Sequence, residues 1–237
     1  MSAEVILEFQ NVTAGYDTTT VLRDLSFSIP AGQVVACIGA NGVGKTTTLR
    51  VAAGLLKPIS GQVLLGGREA TGWAPHERVA AGLCLIPEGR GIFRSLTVAE
   101  NLRLQQPAWV KGNEQLSAAL EAFPILSARM NQVAGNLSGG QQQMLALARA
   151  WLSSPKVVLL DEVSMGLAPI MVDTLFEALR KLSDAGGALF LVEQYVARAI
   201  ALADLVLVLT RNGVAYFGPP AALDEVDLIE TYLGREG

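Results

Sequence analysis

Two textures alternate along the chain. Short apolar runs bounded by glycine, proline or charge read as strands. Longer segments with apolar positions three and four apart read as helices. Val5–Val12 and Val21–Ile29 are β segments around a turn at Gly15–Thr19. Val34–Ile38 is wholly apolar and runs straight into glycines, as a strand buried on both faces does. A helix from Lys45 to about Ala53 follows, then a strand at Ser60–Leu65 after the Lys57-Pro58 break. Leu83–Ile86 is a strand that Pro87 ends.

From Glu88 to Leu152 helical periods dominate, broken by Pro107, Pro124 and Gly135. The last of them is an apolar helix, Gln142–Leu152. Alternation then resumes with strands Val157–Leu160, Ala188–Val192 and Leu205–Thr210. Helices Ile170–Ser183 and Tyr195–Ala203 separate them, and Gly213–Gly218 reads as a final hairpin strand. The pattern predicts an α/β fold: a mostly parallel sheet core with helices on both faces, an antiparallel β portion, and an inserted helical lobe. The expected division is a single domain, with residues 1–87 and 153–237 as the core and 88–152 as the lobe. There is no internal repeat.

Composition agrees with buried parallel strands: 51% of the 237 residues are apolar and 17% charged. The net charge of −4 and the absence of a basic run argue against a nucleic-acid partner. No apolar segment reaches the ~18 residues of a membrane span. The nearest, Ala199–Leu209, contains Asp204. Residues Met1–Glu4 lack a charged-then-apolar signal pattern. Cys37 and Cys84 each sit in an apolar run and read as buried free thiols.

The chemistry concentrates in three places. Gly39-Ala40-Asn41-Gly42-Val43-Gly44-Lys45-Thr46, followed by Thr47, matches a phosphate loop between strand and helix. Its glycines let backbone N–H groups face the β- and γ-phosphates of a nucleotide. Lys45 adds a point charge, and the Thr46 hydroxyl can hold Mg²⁺. Asp161 ends an apolar strand, where its carboxylate can reach the Mg²⁺ shell through water. Glu162 beside it is placed to act as general base on an attacking water. Third, Leu137-Ser138-Gly139-Gly140-Gln141 opens a helix. A serine, two glycines and unpaired helix N–H groups make an anion site without a lysine. Two phosphate-binding devices on one domain suggest that each serves a nucleotide shared with a second copy.

These motifs, in this order and over essentially the whole length, resemble the nucleotide-binding subunit of ATP-binding cassette (ABC) transporters. The resemblance implies a P-loop ABC cassette that hydrolyses ATP with Mg²⁺. It implies that Ser138–Gln141 binds the γ-phosphate of ATP held by the opposite subunit, and that Tyr16, with Val21 after it, lies at the adenine. Ser164–Ala168 resembles the loop that crosses the dimer interface. Three positions depart from the general pattern. Val163 stands where proline is usual. Glu88, expected near Mg²⁺, replaces a glutamine, with Arg90 close enough to offset its charge. Gln194 replaces the switch histidine at the γ-phosphate. The only histidine, His76, reads as an exposed helix-start residue.

Pro87-Glu88-Gly89-Arg90, Leu96–Leu102, Leu191-Val192-Glu193-Gln194 and Gly166–Pro169 look like the shorter ATPase of branched-chain amino acid importers. That resemblance implies transmembrane permease subunits, a second ATPase subunit, and a solute-binding protein acting indirectly. It implies a peripheral place on the cytoplasmic face of the membrane. It also makes Ile92, Phe93 and Leu96 candidates for docking the permease. Importers of amides or urea, and soluble ABC ATPases, are the alternatives.

Overall fold

The computed structural model describes residues 4–110 and 112–223. Strands β1 (Val5–Tyr16), β2 (Thr19–Pro30), β3 (Val34–Ile38), β4 (Ser60–Leu65), β5 (Arg68–Glu69), β6 (Leu83–Ile86), β7 (Val157–Asp161), β8 (Ala188–Val192), β9 (Leu205–Thr210) and β10 (Gly213–Gly218) form two sheets. One is antiparallel in the order β2-β1-β4-β5. The other runs β10-β9-β3-β8-β7-β6 and is parallel except at β10. The helices are α1 (Lys45–Ala52), α2 (Pro75–Ala80), α3 (Val98–Gln105), α4 (Glu114–Ala122), α5 (Pro124–Ser127), α6 (Gly139–Ser153), α7 (Pro169–Asp184) and α8 (Val196–Leu202).

Every residue of β3, β7 and β8 is buried. Successive side chains point to opposite faces, and each face has its own core. Val35, Cys37, Phe190 and Val192 join the cluster between the sheets. There Phe27 links Phe9, at 4.7 Å between ring centroids, to Phe190 at 5.3 Å. Val34, Ala36, Leu189 and Leu191 face the other way, onto α6 and α7. Both thiols are free and buried, as expected.

The elements differ from the sequence expectation in places with clear causes. Strand β1 continues past Val12 because its register shifts between Phe9 and Val12, with Asn11 at φ 49°. Such a bulge breaks the period of two that marks a strand. The hairpin turn is narrower than Gly15–Thr19: Tyr16 pairs with Thr19, and Asp17 takes φ 49°. Helix α6 starts at Gly139 rather than Gln142. Strand β5 and helix α2 are short elements without a clear periodic signal, and His76 lies exposed in α2.

Arg78 of α2 is 1% exposed and anchors the phosphate-loop helix. Its Nη1 donates to the carbonyls of Val51 and Ala52, both at 2.7 Å, and its Nη2 to Ala70 O at 2.7 Å. The carbonyls at the end of α1 are thereby satisfied, which holds the helix that begins at Lys45. Among the described residues no helix is long and apolar enough to cross a membrane.

Candidate functional site

Four adjacent strands, β3, β8, β7 and β6, run parallel, and each delivers a sequence-predicted residue from its carboxyl end. Ligands of open α/β sheets bind at this edge. Strand β3 leads into the phosphate loop, β7 into Asp161 and Glu162, β8 into Gln194, and β6 into Glu88.

The loop from Gly39 to Gly44 needs its glycines for close approach. A Cβ on Gly39 would lie 2.3 Å from Leu209 O. One on Gly44, at φ 109°, would lie 2.6 Å from Leu22 Cδ2 and 3.0 Å from Val21 Cγ1. Gly44 caps α1 with no side-chain partner for the first N–H groups, so these remain available to an anion. The half-buried Ala40 and the exposed Asn41 and Gly42 complete the rim, while Val43 and Thr47 are buried. Lys45 is buried, and its Nζ donates to Gly39 O at 2.7 Å and Ala40 O at 3.1 Å. The loop's own carbonyls thus hold the ammonium over the cradle.

Thr46 Oγ1 donates to Asp161 Oδ1 at 3.1 Å. Burial pushes the Asp161 carboxyl up to about 6. The Thr46 bond opposes this, while the charges of Glu162 and Glu88 reinforce it. Glu88 is exposed, yet near enough to act on Asp161. A desolvated carboxylate facing two others suits a cation. Among the described residues no group of three His, Cys, Asp or Glu side chains could hold a metal ion alone. That donor set fits Mg²⁺, which takes one or two protein ligands and fills its shell with phosphate and water.

Glu162 sits at φ 47°, a left-handed conformation uncommon outside glycine and frequent at functional sites. Its N–H donates to Val192 O at 2.8 Å. Gln194 Nε2 donates to Glu162 Oε2 at 2.9 Å. The predicted base and the predicted switch residue therefore touch, across a sequence gap that no local motif reports. Val163, in the place of the usual proline, is buried in the core. Glu193, to which the sequence assigns no role, is 2% exposed. It accepts from Ser164 N at 3.0 Å, from Ser164 Oγ, and from Gln194 N at 3.3 Å. Burial raises its carboxyl above the ordinary range, against these bonds. The signal in the sequence was a lone charge directly after five buried strand residues.

Tyr16 stands beside α1. Its hydroxyl accepts from Arg50 Nη1 at 3.1 Å, and the Arg50 guanidinium lies 5.9 Å from the ring centroid. The half-buried Val21 packs on the core under the loop.

Ser138–Gln141, called the signature segment below, is a separate structure. Ser138 caps α6: its Oγ accepts from Gln141 N at 3.4 Å, and Gln141 Oε1 accepts from Ser138 N at 3.1 Å. This reciprocal box leaves the N–H groups of Gly139 and Gly140 free for an outside acceptor. A Cβ on Gly140 would lie 2.6 Å from Met171 Cε of α7. Among the described residues no hydrogen bond joins Ser138–Gln141 to the phosphate loop. Arg90 has its hydrogen-bond partner on α6 and not at Glu88. At φ 75° it turns toward α6, donates to Gln142 Oε1 at 2.5 Å and lies against Gly139.

The sequence profile of the ABC transporter family matches residues 22–165, which span the phosphate loop, the signature segment and Glu162. The high-affinity branched-chain amino acid transport ATP-binding protein BraG of Pseudomonas aeruginosa is 39% identical, over 97% of this chain and 100% of its own length. A probable branched-chain amino acid transport ATP-binding protein LivF of Archaeoglobus fulgidus is 37% identical, over 95% of this chain and 97% of its own. A solved ATP-binding subunit of an ABC transporter superposes with a TM-score of 0.81 at 27% identity, covering 94% of this chain and 92% of that one. With a phosphate loop, a strand-end Asp-Glu pair and a Ser-Gly-Gly-Gln helix start on such a cassette, the chain belongs to the ABC transporter family as an ATP-binding, ATP-hydrolysing subunit.

Proposed function

We propose that this chain powers an importer of branched-chain or other hydrophobic amino acids from the cytoplasmic face of a membrane. It pairs there with a second ATPase subunit, either a sister or another copy, so that two ATP molecules lie between the two subunits. Transmembrane permease subunits carry the solute, and a solute-binding protein delivers it. The observation that carries this reading is the split of the site. Binding and hydrolytic groups share one sheet edge, while Ser138–Gln141 opens a different helix with its free N–H groups unshared. The choice of solute and direction rests on the likeness to the BraG and LivF proteins.

In this reading Lys45 exchanges its loop carbonyls for the β- and γ-phosphates, and the loop N–H groups take the remaining phosphate oxygens. Tyr16 and Val21 receive the adenine. Thr46 and Asp161, with Glu88 nearby, would hold Mg²⁺, which when bound neutralises phosphate charge. Glu162 takes the proton of the attacking water, and Gln194 fixes its carboxylate through the 2.9 Å bond. Ser138–Gln141 supplies donors to the γ-phosphate held by the opposite subunit.

Phe93 supports a docking surface at the lobe. Its ring is 53% exposed while Asn101, fully buried, holds its backbone from both sides: Phe93 N donates to Asn101 Oδ1 at 2.8 Å, and Asn101 Nδ2 to Phe93 O at 2.9 Å. Ile92 packs on the core and Leu96 is half-buried. An affinity tag on this chain should bring two permease chains and a longer ATPase out of solubilised membranes. Phe93→Asp should release the permeases and stop leucine uptake, while ATP binding by the isolated subunit persists. Recovery of the chain without any membrane protein would sink the transporter reading. Uptake of amides or urea but not leucine would redirect its substrate.

A further inference from the structure

We propose that Glu193 is a positioning residue for hydrolysis. Its buried carboxylate locks the turn that follows Glu162 to the loop that carries Gln194, so that Gln194 meets Glu162 in one orientation. The inference rests on the reading of Glu162 as the base.

Three links join the two loops. Glu162 N donates to Val192 O, Ser164 donates to Glu193 through both its N–H and its hydroxyl, and Gln194 Nε2 donates to Glu162 Oε2. The middle link is the most enclosed, since Ser164 is fully buried and Glu193 2% exposed. Among the described residues no salt bridge reaches Glu193. Burying a carboxylate without a cation is costly unless its oxygens are well supplied with donors. Here both are supplied. Oε1 faces the Ser164 N–H, while Oε2 faces the Ser164 hydroxyl and the Gln194 N–H.

That donor set is specific for a carboxylate. An amide of the same shape would turn an NH₂ group against either the Ser164 or the Gln194 backbone N–H, and neither of those can reverse to accept. One link would break, and the turn that sets the left-handed Glu162 would lose its anchor. A misplacement of ~1 Å in such a site costs on the order of 10²-fold in rate. The lever is Glu193 acting through Ser164 and Gln194, with no contact of its own to the nucleotide.

The test uses the tagged complex purified from membranes. Hydrolysis rates, ATP KM and thermal midpoints are measured for Glu193→Gln, Ser164→Ala, Ser164→Thr and the Glu193→Gln/Ser164→Ala double variant, with Glu162→Gln as control. Glu193→Gln should lower kcat by about 10- to 100-fold with KM within about twofold. Ser164→Ala should lower kcat less, Ser164→Thr should keep it, and the double variant should match Glu193→Gln, since both remove one link. A kcat within twofold of the unaltered protein, a loss confined to KM, or effects that multiply independently would each overturn the proposal. If Glu193→Gln does not fold, Ser164→Ala against Ser164→Thr decides alone. Inactive Glu162→Gln with a fully active Glu193→Gln would remove only this inference. Fully active Glu162→Gln would remove the base assignment, and this inference with it.

Discussion

In the proposed reading the sheet edge and the start of α6 both serve phosphate, yet they are finished to different degrees. At the sheet edge the functional side chains already bind one another: Lys45 to its own loop, Thr46 to Asp161, Gln194 to Glu162. At the start of α6, Ser138 and Gln141 satisfy only each other. Ser138 and Gln141 close a box, and the glycine N–H groups between them have no partner in that box. The first region is preassembled and needs only nucleotide. The second presents free donors, and in the proposed reading their acceptor is a phosphate held by another subunit. If the two halves meet across a pair of subunits, as proposed, hydrolysis is conditional on assembly, because neither half alone surrounds the γ-phosphate.

Perturbing the two regions should give different signatures. The largest effect is expected at the preassembled half. Glu162→Gln should slow phosphate release in the complex by ~10²–10⁴-fold while leaving ATP binding intact. Next, Gln194→Ala should lower the rate by about tenfold, the loss of one orienting bond. An unchanged rate would show that the 2.9 Å bond to Glu162 does not matter in turnover. At α6, Gln141→Ala should cost stability rather than nucleotide affinity, about 1 kcal/mol from half of a capping box. In a domain of this size that is a fall of roughly 2–4 °C in the thermal midpoint.

The smallest effect should come from the two thiols. Burial pushes Cys37 up to about 12 and Cys84 up to about 11. Both stay protonated in the folded chain at pH 8, so the native protein should resist maleimide and the urea-unfolded chain should take it up at both positions. The sign for stability follows from the same shift. Unfolded thiols ionise near 9.0 while folded ones do not, so stability should be level below that pH and decline above it. Labelling of Cys37 in the native state would mean that β3, and the phosphate loop it carries, opens readily.

How legible each region is in the sequence follows from whether its interactions are local. The phosphate loop, the Asp161-Glu162 pair and the Ser138–Gln141 box each lie within a few consecutive residues, and all were readable. The parallel strands were readable because burial on both faces leaves runs such as Val34–Ile38 uninterrupted. What escaped the sequence crosses between elements. The Gln194–Glu162 bond depends on β7 and β8 lying side by side, with Asp161 paired to Val192. Arg90 was a candidate to offset Glu88, and only the fold shows its backbone at φ 75° with the guanidinium on Gln142. Glu193 carries no assigned role in the sequence, and only the fold closes Ser164 over it. Strand β1 was cut short because a bulge changes the phase of its buried positions without ending its pairing.

In the proposed assembly Ser138–Gln141 serves a nucleotide other than the one bound by this chain's own phosphate loop. The decisive variant is Ser138→Arg, followed by ATP affinity of the dilute isolated chain and turnover in the purified complex. Affinity should stay within about twofold of the unaltered chain, whereas Lys45→Ala should abolish binding. Turnover in the complex should fall by ~10²-fold or more, as when donors to a developing anion are lost. Weakened ATP binding by the isolated Ser138→Arg chain, or undiminished turnover in the complex, would contradict that assembly.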